Sequence, residues 1–399
     1  MSERELSTFD AKNRIMSIIK NLDLRASTRY THSGKLVATA DLFDNRNTLV
    51  ASGAGKGPDC LVGALAESIE HYATLHPSST SMILQSCQAI ASQKQTESDG
   101  LFTSLPLITD PIECFKLKTL CDTKQIFVPS VILCPQKKLV QDTHNNQSIR
   151  HLTRYSSNSG IAFGCTQAEA LLHGINEAIE RHILSTLFMS LCELHTNIDL
   201  YRPSEHLLKA ALKNNSYALE TANNLQILII KNFFGVYFSA AFPKIASQDF
   251  FLSPLGSGCS MNVCIAIERA VTEQLQTSTL YGEMEKDQDR KTYEFLSTSE
   301  RLTQLIHLDP IRNINLPLLS NRENKIHLSV SEQINHIHGN LLDNGKDIYR
   351  RTVKSYADHG VVEQVYIPGL ERFNIIRNGS PVVPQHVLRG DSANIATAT

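Results

Sequence analysis

Three stretches of this sequence carry one polar pattern. The first runs Gly63, Glu67, Glu70, His71; the second His173, Glu177, Glu180, Arg181; the third Arg269, Glu273, Gln276, Thr277. Each has the spacing i, i+4, i+7, i+8, which an α-helix lays along one face. Each also follows a glycine-rich segment: Ser52-Gly53-Ala54-Gly55-Lys56-Gly57, Ser159-Gly160-Ile161-Ala162-Phe163-Gly164 and Leu255-Gly256-Ser257-Gly258. Carboxylates stacked on a helix are a ready cation site, and a glycine turn feeding a helix start is a ready anion site. Together they imply a nucleoside triphosphate wrapped with its magnesium ions.

Taken singly, these features are ordinary. A Glu-x-x-Glu pair on a solvated helix costs only a few tenths of a kcal/mol. In a cleft of effective dielectric near 20, two carboxylates about 5–6 Å apart repel by about 3 kcal/mol and need a cation, a raised pKa or a basic neighbour. Repetition after each glycine segment favours that second environment over four unrelated surface acids. Arg269 with Glu273 has the spacing of a helix-surface ion pair; in a site, Arg269 would neutralise phosphate charge and Glu273 would hold metal or act as base. Gln276 stands where the other units carry glutamate, so it would bind by hydrogen bonds. The loop around Lys56 is not a P-loop, because Val50 and Gly57 occupy the positions that need glycine and Ser/Thr. His173 lies on the Glu177 face, with His182 at its edge. His336-Ile337-His338 would place two imidazoles on one face of a strand, but without a third ligand they are read as surface histidines. Cys165 is read as a small buried thiol.

The elements that must position these groups form an α+β fold. Residues 1–25 supply a polar leading helix, and Leu36–Leu49 alternates as strands around Asp44-Asn45-Arg46-Asn47. Helices are expected over Leu61–Thr74, Gln167–Phe188 and Val263–Ser278, with Leu65, Ile69, Ile175, Ile179, Ile267 and Val271 turned inward. Phe127–Cys134 reads as a buried strand pushed to an edge by Pro129, Leu225–Phe242 as two strands hinged near Gly235, and Asn374–Val383 as strands around Asn378-Gly379. Asp287–Lys325 reads as a helical or loop excursion and Ser392–Thr399 as a loose tail. Glu67 to Glu177 is 110 positions and Glu177 to Glu273 is 96, which suggests an internal pseudo-repeat of three glycine-turn-then-helix units around one nucleotide site. The organisation expected is an N-terminal helix and strands over 1–50, a catalytic domain over 51–384 and a tail over 385–399. Composition is that of a soluble globular chain, 42% hydrophobic and 20% charged with net charge −2, giving no basic field for nucleic acid. No apolar run is long enough for a membrane span, and nine scattered cysteines read as reduced thiols of a cytoplasmic protein.

These segments resemble the YcaO family of ATP-dependent peptide-modifying enzymes. The resemblance rests on Gly55-Lys56-Gly57 with Gly63 to His71, on Ser159 to Gly164 leading to Glu177-Ala178-Ile179-Glu180-Arg181, on Ala266 to Gln276, and on Pro368-Gly369-Leu370-Glu371. It implies a YcaO-like fold with ATP and Mg2+ as cofactors. Glu67, Glu70, Glu177 and Glu180 would hold the metal ions. Lys56, Ser159, Arg181, Arg269, Glu273 and Gln276 would line the nucleotide, with Glu273 and Arg269 nearest the chemistry. The family reaction activates a peptide backbone amide by phosphorylating its oxygen. The expectation is a cyclodehydratase forming thiazoline or oxazoline rings in a ribosomally made precursor peptide, served by a separate leader-binding partner. Thioamidation with a sulfur-delivery partner and an ATP-binding accessory subunit are the alternatives, and a homodimer is compatible with either. Gly63 and His71 depart from the family's frequent serine and arginine, and the chain lacks the proline-rich C-terminus common in azoline-forming members.

Overall fold

The computed structural model describes residues 2–76, 82–105, 111–135, 147–195, 198–232, 234–312, 314–319 and 328–390. Three antiparallel sheets carry the architecture. β1 (Arg25–Tyr30), β2 (Val37–Phe43) and β3 (Leu49–Lys56) form the first. β4 (Ile83–Gln85), β5 (Ile112–Thr119), β6 (Gln125–Pro129) and β7 (Ile161–Gly164) belong to a six-stranded sheet, completed by β11 (Tyr349–Ser355) and β12 (Val361–Tyr366). Its order is β4-β5-β11-β12-β7, with β6 added on β5. β8 (Leu225–Lys231), β9 (Tyr237–Pro243) and β10 (Gly256–Ser260) form the third.

The principal helices are α1 (Thr8–Asn21), α2 (Cys60–Leu75), α3 (Gln167–Leu191), α4 (Val263–Thr279), α5 (Glu283–Leu296) and α6 (Val330–Asp343). Apolar periodicity explains their packing. Leu65 and Ile69 of α2 meet Ile15, Ile18 and Ile19 of α1 and the buried Ala38, Ala40 and Leu42 of β2. Ile267 and Val271 of α4 pack on Ile227, Ile229 and Ala241 of the third sheet. Ile175, Ile179 and Ile183 of α3 enter the largest core. β3 runs through residue 50, so the N-terminal strands share a sheet with residues 51–56 and a core with α2. All nine cysteines are free, and among the described residues no helix is long and apolar enough to cross a membrane.

Most of the glycine segments are strand, although Gly160, with φ 83°, turns the chain into β7. Gly53 and Gly55 lie in β3, Gly164 in β7, and Gly256 and Gly258 in β10. Their missing side chains let each strand lie flat against its succeeding helix. A Cβ on Gly55 would fall 1.8 Å from Cys60 O, and one on Gly164 would fall 2.4 Å from Ala170 N. Only Gly57, with φ 80°, turns the chain between β3 and α2. The starts of α3 and α4 are closed by the chain itself: Thr166 caps Glu169 N and Asn262 caps Cys264 N. In these two units the polar stripe, not the helix start, is therefore what is presented, whereas Asp59 makes no side-chain cap at the start of α2.

Other expectations change in detail. The strand expected over Phe127–Cys134 ends at Pro129, and Ser130–Leu133 makes one helical turn. Asn374–Val383 is not a hairpin: Phe373–Asn378 forms a 3-10 helix closed by left-handed Gly379. His336 and His338 sit on α6 rather than on a strand, and His338 is bound to Asp347 at 2.9 Å. Ser392–Thr399 lies outside the described residues.

Candidate nucleotide and metal site

α2, α3 and α4 bring their polar stripes to one cleft, and each carboxylate is anchored by one oxygen. Glu67 Oε2 accepts Ala54 N of β3 at 2.9 Å, and Glu70 Oε2 accepts Phe163 N of β7 at 3.1 Å. Glu177 Oε2 accepts Gly160 N at 3.1 Å, and Glu180 Oε1 accepts Ser257 Oγ of β10 at 2.7 Å. Glu67 and Glu70 thus bridge the edges of two different sheets from one helix. The second oxygens remain for other partners: Glu67 Oε1 lies 3.8 Å from His71 Nε2, and Glu177 Oε1 lies 3.8 Å from Arg181.

The cluster is electrostatically strained. Burial, then the charges of Glu177 and Glu67, raise the Glu70 carboxyl well above the usual range. Burial pushes Glu177 up to about 7, with Arg181 opposing and Glu180 adding to the rise. Among the described residues no three donors form a preformed metal cage, because each carboxylate is turned toward its own anchor. Hard oxygen donors under mutual repulsion nonetheless fit a magnesium ion, which favours a few carboxylates and keeps waters in its shell.

Basic groups face this acid cluster. Lys56 pairs with Glu273. Burial works against ionisation of Glu273, but Lys56 and Arg181 outweigh it and hold its pKa low. Arg181 lies 3.6 Å from Glu180. His173 is exposed; loss of surrounding solvent, then the charges of Arg269, Arg4 and Lys56, push its pKa well down. Arg269 is fixed by Cys259 O at 3.0 Å and by Glu3 at 2.5 Å.

Beside Arg181 a cavity of about 590 Å³ is lined by Ser159, Glu177, Thr277, Tyr281, Asp289 and Arg377, among others. Ser159 hydrogen-bonds Ser157 at 2.8 Å. Arg377 Nε is buried without a hydrogen-bond partner among the described residues, which suits a wall that meets a polar ligand, and the Tyr281 hydroxyl faces Asp289 there. Gln276 makes no side-chain hydrogen bond among the described residues, whereas its neighbour Thr277 reaches this wall.

Glu371 closes the far side. It accepts Gln385 N through both oxygens at 3.0 and 3.1 Å, and its own N–H donates to His182 Nδ1 at 3.0 Å. His182 is therefore a structural acceptor; burial holds it neutral, at about 3. Burial pushes Glu371 up from 4.5 to about 7, against the Gln385 bonds and Arg389. The folded chain then binds this proton more tightly than the unfolded one. Its stabilising contribution is full below pH 4.5 and lost as pH rises to about 7. Glu371→Gln is expected to remove about 2–3 kcal/mol of that decline, read by comparing urea titrations of the two proteins across this window; parallel curves would refute it.

Sequence reasoning missed Glu3, Arg4, Ser257, Tyr281, Asp289 and Arg377. Ser257 was detectable, since strand alternation separates it from the flanking Gly256 and Gly258, which lie on the opposite face. The others join the site through tertiary approach and leave no local signal.

Comparison with known proteins bears on the family and the fold. A family model described as YcaO cyclodehydratase, ATP- and Mg2+-binding, matches residues 54–371. No curated protein sequence matches the chain. Among solved structures, a heterocyclase in complex with substrate and cofactor superposes with TM-score 0.63 at 16% identity, covering 93% of this chain. The chain spans only 54% of that heterocyclase. YcaO from Methanopyrus kandleri bound with AMPPCP and Mg2+ gives TM-score 0.62 at 14% identity, covering 93% of both chains. The E. coli microcin synthetase McbBCD complex with pro-MccB17 bound gives TM-score 0.57 at 13% identity, covering 88% of both. At such identities these structures establish a shared mixed α/β fold. With the family model spanning most of its length, the chain belongs to the YcaO family, ATP-dependent enzymes whose cofactors are ATP and Mg2+.

Proposed function

We propose that this chain is a peptide cyclodehydratase that activates backbone amides of a ribosomally synthesised precursor, forming thiazoline or oxazoline rings at Cys, Ser or Thr. The observation that carries this reading is the opposition, across one cleft, of four anchored carboxylates and the bases Lys56, Arg181 and Arg269. In this reading α2, α3 and α4 with their strands are three copies of one strand-then-helix unit around one nucleotide. Residues 51–384 form its catalytic domain.

Glu67, Glu70, Glu177 and Glu180 would hold magnesium through their unanchored oxygens. Lys56, Ser159, Arg181, Arg269 and Gln276 would line the nucleotide, and the cavity bounded by Tyr281 and Arg377 would have room for part of it. Bound ATP with Mg2+ supplies the phosphoryl group that turns an amide oxygen into a leaving group. Glu273 is ionised and held by Lys56. When Lys56 shifts its charge toward phosphate, Glu273 loses its cation, its basicity rises, and it takes the proton from the attacking side chain. Arg269 and Arg181 stabilise the charge that gathers on the transferred group.

The microcin synthetase neighbour is a complex with a propeptide bound, which supports a peptide substrate and a separate leader-binding partner here. Mass spectrometry of the candidate precursor, incubated with this protein, its partner, ATP and Mg2+, tests the assignment. Loss of one water, about 18 Da, per modified residue is expected. A gain of about 16 Da with sulfide present, oxygen exchanged for sulfur, would move the assignment to thioamidation. An unchanged peptide with ATP intact would leave an accessory role.

A further inference from the structure

The segment Ser2–Leu6 lies outside the stretch matched by the family model, yet it holds Arg269 of the α4 stripe. Glu3 is buried. Its carboxylate accepts Ser260 Oγ at 2.5 Å, Asn176 Nδ2 at 3.3 Å and Arg269 Nη2 at 2.5 Å. These donors come from β10, α3 and α4. The segment is fixed on both sides of Glu3. Gln333 of α6 donates to Ser2 O at 2.7 Å, and Glu169 Oε1 accepts Glu5 N at 2.6 Å and Leu6 N at 3.3 Å. The other oxygen of Glu169 accepts Cys165 N at 3.1 Å, tying the segment to the end of β7.

We propose that Glu3 is a positioning residue for Arg269, so that the Ser2–Leu6 strap forms a working wall of the nucleotide site; this rests on the reading that Arg269 meets the nucleotide. An arginine presents five N–H donors in a rigid fork. Glu3 and Cys259 O engage one on each terminal nitrogen, leaving the rest for an anion. A guanidinium already held in one orientation loses less freedom when it meets phosphate. Arg269 lies on α4 on the same stripe as Glu273, whose carboxylate pairs with Lys56 in the cleft. Without Glu3 the arginine keeps only its carbonyl tether and samples several rotamers.

The test measures affinity for AMPPCP with Mg2+ by calorimetry on the full chain, with thermal melts to verify folding. Glu3→Gln preserves size and can still accept from Ser260, but it removes the charge. It is expected to weaken binding about tenfold. Arg269→Gln is expected to weaken it more, and the double variant no further than Arg269→Gln alone. If Glu3→Gln fails to fold, Glu3→Asp takes its place, since it withdraws the carboxylate from Arg269 and should show the same non-additivity. Equal losses in both backgrounds would mean a strap that only supports the fold, overturning the proposal. Unchanged affinity would overturn it as well, and tighter binding would show that Glu3 competes with the ligand. If Arg269→Gln binds as the unaltered chain does, or the unaltered chain does not bind, the reading of the site fails and the inference with it.

Discussion

Glu70→Gln is expected to lower ATP consumption by about 10²–10³-fold while leaving the ligand-free protein at least as stable as before. The two halves of this expectation have one cause. Glu70 is raised well above the usual carboxylate range by burial and by the charges of Glu177 and Glu67. Holding it ionised without a cation therefore costs folding free energy. Glutamine keeps an acceptor for Phe163 N, which lies 3.1 Å from Glu70 Oε2, and deletes the repulsion. It also removes an oxygen that would bind magnesium, so the nucleotide loses its counter-charge. A thermal melt and a phosphate-release assay read the two effects separately. A carboxylate that merely supported the fold would give the reverse, with stability falling and turnover changing little. A site built for a charged ligand is strained in the ligand's absence, and this substitution measures that strain directly.

Much of the site was legible because a helix carries its own ruler. The i, i+4, i+7, i+8 pattern needs only 3.6 residues per turn, so Glu67, Glu70, Glu177, Glu180, Arg181 and Glu273 could be grouped from the sequence alone. Apolar periodicity likewise located α2, α3 and α4 to within a few residues. Local composition misled where tertiary packing decides. Gly53, Gly55, Gly256 and Gly258 looked like turns because glycine is common there, but their role is to let strands touch helices. The Asn378-Gly379 pair has a hairpin signature, yet Gly379 ends a 3-10 helix instead. Residues that reach the cleft from far along the chain were invisible. Glu3 meets Arg269 across 266 positions, a separation at which no spacing rule operates. Arg269 was read as part of the third stripe, but its hold on Glu3 was not foreseen.

Two glycines at strand–helix contacts, one on the strand and one on the helix, should respond in opposite ways to the same added methyl. On Gly256 a Cβ would lie 2.2 Å from both Ala270 O and Gln274 N of α4. Both atoms are helix backbone, so no side chain can rotate away and the helix itself must move. Gly256→Ala is expected to destabilise by about 3 kcal/mol or more. It would also displace α4 beside Gln274, which neighbours Glu273, so the Lys56–Glu273 pair should break and ATP consumption should collapse even where the variant stays folded. On Gly63, within α2, the nearest atom to an added Cβ is Gly55 Cα at 3.5 Å, an ordinary contact. Gly63→Ala therefore gains helix propensity without a clash, worth about 0.5–1 kcal/mol, and should raise the melting temperature with turnover retained. Chemical denaturation of both variants, with phosphate release measured alongside, decides the matter. If both were tolerated, the strand-on-helix contact would have to be looser than these distances allow. If both were destructive, Gly63 would be serving the nucleotide site directly, through the open face that the serine of related chains fills. Only opposite outcomes fit a site whose geometry is set by how closely β10 and β3 approach their helices.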